Sequence, residues 1–545
     1  GRCSDSRLPC ARGRGKCGAV AVAGGAWLGR TFAATWIRDA TGVNVMACMK
    51  RFLRLAILAV QPAIATTTGG HRMARTFQGW LLAAAALTAT SPLAAQGLPT
   101  QTWPAGTQLS MWNHGGRITT FHRGYLYLGG TEGQGTWTYD IANAQSPQLV
   151  RTVQTGVNGH AWAKVGDVFW RQYWIPEIGD TSPRPFQNLS NMLAPTQQTT
   201  NVGAFPSGQP PLGWPGNWLD TYPYHFGDNI VDARVGWWPH AAQVNVRAIA
   251  GMTSGPNMWR LGNLLFLTPS DSQNGVAVFD VSNPLQPVLL DRLIGNYRQY
   301  TNAWQVWRHY LVLMFGDNTN GPQGNANTLV IDFSDPTDLT LAFTIPYDDL
   351  PGRYVHFQDQ YAFAGRFGRG TKYNMETRQV SQVFTPTPCC AGDFQWIPLG
   401  HIVLASSSET DNSRSYLFSH QPALDTTRPT VGYHLPRPGA THQHVRSTVG
   451  LVINETLDGT TVNPQTIQLR PLGGAPLPTT VIHTSYNVVN IVPDAELAAD
   501  TTYEVRLVQD GVRDVAGNGI AAYSFLFSTG ATVGGDLIFA HGFQP

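Results

Sequence analysis

One outline recurs along this chain and limits what it can fold into. "NGVAVFDVSNPLQPVLLDRL" (274–293) alternates apolar residues, ends in Asp-Val-Ser-Asn-Pro and resumes as a second apolar run. "TWTYDIANAQSPQLVRTV" (136–153) and "NTLVIDFSDPTDLTLAFTI" (327–345) keep the same outline. A second landmark, an aromatic followed by a few residues, often a Gly, and then an apolar run, precedes each copy. It reads "GHAWAKVGDVFW" (159–170), "PNMWRLGNLLFL" (256–267), "TNAWQVWRHYLVLM" (301–314), "YVHFQDQYAFA" (354–364) and "DFQWIPLGHIVLA" (393–405), with a degenerate copy at 116–130. Trp259 to Trp304 is 45 residues, Trp304 to Phe357 is 53, and Phe357 to Trp396 is 39. Trp162 to Trp259 is 97, two periods, so a disguised unit is expected within 183–255, around "GDNIVDARVGWWPHAAQV".

Each unit reads as strand, tight turn, strand, loop, the Asp-ended strand with its turn, and a fourth strand. Four short antiparallel strands every 40 to 50 residues predict an all-β fold, a β-propeller of about seven four-stranded blades over 100–425. Composition agrees: 13% charged residues with 57 Gly and 37 Pro suit short strands and turns rather than amphipathic helices.

From Thr427 the texture changes. Alternating strands at 466–470, 488–492, 502–508 and 522–529, separated by Asp, Gly, Asn and Pro turns, predict an Ig-like β-sandwich over 427–530. A tail at 531–545 follows.

The first 72 residues carry 11 Lys/Arg and 2 Asp/Glu of the chain's 36 and 34, so the remainder is net acidic by 7. They also hold four of the six cysteines, and read as a non-native or unstructured extension. "MARTFQGWLLAAAALTATSPLAAQ" (73–96) has a basic start, a short apolar stretch and a small-residue end at Ala94-Ala95, the form of a signal peptide over 73–95. A similar stretch from Met49 competes with it. Either implies export to the periplasm, outer surface or extracellular space, with no membrane span in the mature chain. In such a compartment the vicinal Cys389 and Cys390 form either a strained disulfide or two thiols.

The repeats resemble the LVIVD repeat of bacterial and archaeal surface proteins, closely at 276–290, fairly at 329–341 and weakly at 138–150. That resemblance implies an exported or surface-displayed propeller with no set chemistry. Val462-Asn463, Val492-Pro493, Thr502-Tyr503, Val512-Arg513-Asp514 with Ala516-Gly517-Asn518, and Phe525 to Thr529 look like the bacterial S-layer Ig-like domain of SbsA type. The stretch 451–459 departs from it. "GGDLIFAHGFQP" (534–545) is similar to an Ile-Phe-Ala-Asp-Gly-Phe-Glu ending of some gammaproteobacterial exported proteins, with His541, Gln544 and Pro545 departing.

No nucleophile elbow, zinc-protease motif or phosphate loop lies in the body, and no catalytic residue, metal or cofactor is expected. The residues two before each marker aromatic are His160, Asn257, Asn302, Val355 and Phe394. If the markers open the inner strands, these fall on one face at the channel mouth. His160, Asn257, Asn302 and His356 are therefore the candidate ligand-binding residues, with His225 as a further one. His442 and His444 sit at period two on an expected strand, and Asp514 with Gly517-Asn518 reads as a turn rather than a cation site. The aromatic-rich 185–238 region is either a sugar- or peptide-stacking insertion or the disguised blade. Taken together, the sequence predicts an exported, non-enzymatic binding or adhesion protein, its partner an unidentified protein or glycan and not nucleic acid. A propeller hydrolase or lyase, or a purely structural envelope component, are the alternatives.

Overall fold

The computed structural model describes residues 97–531, apart from 117, 130–134, 154–161, 172–183, 201–228, 232–242, 246–256, 269–274, 284–286, 295–303, 315–327, 353, 367, 389–392, 408–412 and 485. Residues 1–96 and 532–545, and with them the expected extension, signal peptide and tail, lie outside the described residues, as do Cys389 and Cys390.

Every named strand pair is antiparallel, and the repeats fold as units of four. Blade 1 spans 118–153, blade 2 162–200, blade 4 257–293, blade 5 304–345 and blade 6 356–384. In third place stands a two-stranded pair, Asn229–Val231 with Gln243–Asn245, inside the stretch expected to hide a unit. Blade 7 takes three strands from 393–419 and its fourth, Gln108–Trp112, from the start of the described chain. Trp112 faces Ser415 in that ladder, so the two ends of the repeat region meet in one sheet.

Burial orders the strands from axis to rim. The fourth strands, such as Gln148–Val153 and Thr340–Ile345, are largely exposed, whereas the second and third strands are buried. The first strands therefore run along the axis. Apolar side chains alternate outward to neighbouring blades. One core cluster joins blades 4 and 5, another blades 5 and 6, a third blades 6 and 7. Trp396 of blade 7 lies against Gly365 and Gly370 of blade 6, where a Cβ would stand 2.0 and 2.3 Å from its ring, so only glycine admits it.

The recurring Asp now has a local cause. In five blades an Asp or Asn carboxamide or carboxylate ends the third strand and accepts the N–H two residues on: Asp140 from Ala142 at 2.9 Å, Asn188 from Ser190 at 2.9 Å, Asp280 from Ser282 at 2.8 Å, Asp332 from Ser334 at 2.7 Å and Asn374 from Glu376 at 2.9 Å. This Asx turn redirects the chain into the fourth strand. Just before it, four blades slip register at the same place, at 138/139, 278/279, 330/331 and 372/373, a β-bulge that twists the blade.

From 425 the chain forms a sandwich. One sheet orders Val431–Leu435, Val449–Ile453, Val488–Pro493 and Thr479–Thr484; the other orders Ile467–Pro471, Thr502–Leu507 and Tyr523–Ser528. Leu451, Ile491, Leu469, Val505 and Phe527 fill the space between them. Asp514 accepts from the Asn518 N–H at 2.9 Å, with Gly517 at φ +94°, which makes it the expected turn. Among the described residues no helix is long and apolar enough to cross a membrane.

Candidate functional site

The antiparallel order places the hairpins between first and second strands at one end of the propeller, and the second-to-third and fourth-to-first connections at the other. Among the described residues the first-to-second-strand turns of six blades span two residues, at 123–124, 166–167, 262–263, 308–309, 359–360 and 400–401. Their first residue takes positive φ, as glycine at 166, 262 and 400 and as Arg123, Arg308 and Asp359 elsewhere. At the opposite end the strand bounds leave connections of 14 residues at 314–327 and 28 at 201–228.

The Ig-like domain occupies the hairpin end. Its strand Thr479–Thr484 pairs with the first strand of blade 2, His483 opposite Lys164 and Thr484 opposite Ala163, on the ladder edge that the innermost strand leaves open. The turn after it enters the ring. Tyr486 Oη donates to the Thr119 carbonyl of blade 1 at 2.5 Å, and Asn487 Nδ2 to the Val306 carbonyl of blade 5 at 3.2 Å. Gly262 of blade 4 donates its N–H to Asn490 Oδ1 at 2.7 Å, and Asp359 of blade 6 donates to the Asn454 carbonyl at 2.7 Å. Contact at blade 4 is backbone on backbone: a Cβ on Gly450 would lie 2.4 Å from the Gly262 nitrogen. Thus one hairpin and its neighbouring loop reach five blades and close this end of the channel.

His356, a predicted ligand residue, lies beneath that plug. It is 5% exposed, its ring is 4.7 Å from Tyr486 in an edge-on arrangement, and neither ring nitrogen has a hydrogen-bond partner among the described residues. Burial pushes its pKa down to about 3, so it stands neutral. Asn257 opens the first strand of blade 4 opposite Thr268, at the far end from the turn. His160, Asn302 and His225 lie outside the described residues, as does most of the 185–238 aromatic region.

The described members of the expected row do not share one position relative to their turns. Counted back from the first turn residue, Asn257 is fifth, Val355 fourth, His356 third and Phe394 sixth, each at a different distance from its turn. The reason is that the aromatics do not share a register: Trp259 is third, Phe357 second and Trp396 fourth before its turn. The turn fixes the register, and the Gly that often follows the aromatic was its visible signal. Nor do His442 and His444 share a strand. His442 takes φ +57° and is exposed, while His444 Nδ1 accepts from the Arg446 N–H at 3.1 Å. No three His, Cys, Asp or Glu side chains among the described residues are placed to hold a metal.

Charge gathers at the plugged end. Lys164 is fully buried, donates to Thr120 Oγ1 at 2.9 Å and sits under Gly459. Burial lowers its pKa to about 8, against the opposing pull of Asp458 and Asp167. Asp167 pairs with His122 at 2.9 Å and with Arg123 at 2.8 Å, bonds that hold its carboxyl well below the usual range. This network joins blades 1 and 2 where the Ig-like strand adds on.

Residues 425–529 match the family of bacterial Ig-like domains. Among solved structures, the β-propeller domain of Cps50 (Swd1) from Myceliophteria thermophila is similar at 10% identity, with 56% of this chain and 83% of that chain covered and a TM-score of 0.26. The computationally designed Ika8 protein is similar at 10% identity, with 72% and 100% covered and a TM-score of 0.30. No curated protein matches significantly.

Proposed function

We propose that this chain is an exported bacterial envelope protein whose propeller binds a protein or glycan partner at the end away from its bacterial Ig-like domain. The observation that carries this reading is the unequal treatment of the two ends. One is sealed by a hairpin and its neighbouring loop, which together reach five blades; the other carries the long connections, and binding groups concentrate on such loops above a rigid scaffold. Asn257 stands at that end, and His160 and Asn302 fall in the connections preceding the first strands of blades 2 and 5. His356, at the sealed end, is not part of the binding face. The finer assignments, LVIVD-type repeats and an S-layer type of Ig-like domain, belong to the same reading.

The chain, screened on glycan and peptide arrays, should retain a ligand that slows amide exchange at the start of Asn257–Leu261 and the end of Leu264–Thr268. Protection confined to Ile467–Pro471, Thr502–Leu507 and Tyr523–Ser528 would place binding on the Ig-like domain and overturn the proposal. Export has its own check. Intact mass of protein recovered outside the cytoplasm should correspond to cleavage after Ala95; a mature chain that keeps Met49 would defeat the assignment of 73–95 as the signal.

A further inference from the structure

Four carboxyl groups meet where the Ig-like domain sits on blades 6 and 7. Asp359 belongs to the blade 6 hairpin turn, Asp425 to the segment leaving blade 7, Glu455 to the loop after Val449–Ile453, and Asp514 to the turn before Tyr523–Ser528. The backbone ties them together. Asp359 donates its N–H to the Asn454 carbonyl and accepts from Asn454 Nδ2 at 2.8 Å, Val515 donates to the Thr456 carbonyl at 3.0 Å, and Asn518 Nδ2 donates both to Asp514 at 3.0 Å and to the Asp425 carbonyl at 3.2 Å. Gln358 Nε2 donates to Asp425 Oδ2 at 3.1 Å.

Glu455 is 1% exposed and its Oε1 has no hydrogen-bond partner among the described residues; the same holds for Gln358 Oε1, 3% exposed. A buried carboxylate with one unpartnered oxygen, hydrogen-bonded to the Asp359 side chain and facing Asp425 and Asp514, is costly. No metal-holding arrangement is present among these residues to neutralise it. A bound proton neutralises it. We infer that Glu455, held beside Asp359 and facing Asp425 and Asp514, forms a proton-held latch that seats the Ig-like domain on the propeller and slackens when Glu455, Asp425 and Asp514 ionise.

The electrostatic trends agree in sign. Burial first, then the charges of Asp359, Asp425 and Asp514, pushes the Glu455 carboxyl well above its usual value; burial likewise raises Asp425, and Asp514 to about 6. Groups raised in the docked state give stability that is complete below the ordinary carboxylate range, near 4, and is lost as pH rises through the docked values. The other charges facing the cluster are His401 beside Asp425 and Lys372 near Asp359. Elsewhere in the same interface, buried His483 and His356 act oppositely, since both are depressed and must be neutral when docked. The difference between the native chain and a Glu455 variant therefore isolates the latch.

The test is Glu455→Gln, with amide exchange followed in Trp162–Val165 and Thr479–Thr484 and corrected for its intrinsic pH dependence. Each unit by which the docked carboxyl is raised corresponds to about a tenfold change in docking equilibrium. Between about pH 5 and about pH 8 the native segments should lose about tenfold or more protection relative to Glu455→Gln. Parallel profiles for the two proteins would overturn the latch. Should Glu455→Gln fail to fold, Asp425→Asn, whose amide can donate to Gln358, takes its place with the same criterion.

Discussion

Replacing Tyr486 with alanine should destabilise the chain by about 3 to 5 kcal/mol, the usual cost of deleting a buried aromatic. The ring is 7% exposed and packs in one cluster with Phe121, Ile397 and Leu417 of blades 1 and 7, although it belongs to the Ig-like domain. Its backbone is held at φ +69°, a conformation a tyrosine adopts only where its surroundings over-determine it. They do so here. Leu457 donates its N–H to the Tyr486 carbonyl at 2.9 Å, His483 Nε2 reaches the same carbonyl at 3.0 Å, and the hydroxyl reaches into blade 1. Alanine keeps the unfavourable φ and loses the ring and hydroxyl that compensate it. The loss should appear as a lower denaturant midpoint and as new protease cleavage in the 420–430 connection, because the hairpin no longer fills the ring. Tyr486→Phe separates the two contributions: it keeps the packing and should cost about 1 to 3 kcal/mol for the unsatisfied Thr119 carbonyl. An unchanged midpoint in Tyr486→Ala would mean that the hairpin merely rests on the propeller.

The parts of this architecture that were legible in the sequence are those that repeat. Asp280, Asp332 and Asp140 recur because each blade needs the same Asx turn, and a local hydrogen bond leaves a local signature. The Ig-like strands were equally plain: the expected 488–492 and 502–508 became Val488–Pro493 and Thr502–Leu507, since alternation about a buried face sets them. The alternating pattern misled at His442 and His444, where a residue at positive φ breaks the strand. It also misled along the inner strands, where the aromatics looked like a register and the turn was the true one. Docking of the Ig-like domain left no periodic trace. It rests on Gly262 with Asn490 and Asn263 with Ser447, pairs 228 and 184 positions apart, and on two glycines whose only common property is the missing Cβ. Such contacts are made once each, so no pattern within a single sequence marks them.

Ring closure offers the second large effect, and Gly115→Val should produce it. A propeller is secured where its first and last repeats share a blade, and here that joint is Gln108–Trp112 laid against Arg414–Ser419. Just beyond the strand, a Cβ at Gly115 would stand 1.7 Å from the Ser407 carbonyl oxygen and 2.7 Å from that of Arg414. Both obstacles are backbone of the neighbouring strands of blade 7, so neither can swing aside as a flexible side chain would. Gly115 also donates its N–H to Ser413 Oγ at 2.8 Å, and Gly116 to Ser406 Oγ at 2.9 Å, bonds that a displaced segment would lose. Overpacking of this kind costs about 1 to 3 kcal/mol where neighbours can yield and more where they cannot. The clash therefore points to the upper end, about 3 kcal/mol or beyond. Release of the closing strand would uncover Leu109 and the stacked His114 and Trp137, and expose the Arg414–Ser419 edge to solvent. The signature is specific: amide exchange should quicken in Gln108–Trp112 and Arg414–Ser419 before it quickens in Val276–Asp280 of blade 4, and proteolysis should begin within 97–116. Uniform loss of protection across all blades would show instead that the ring opens only when the whole molecule unfolds.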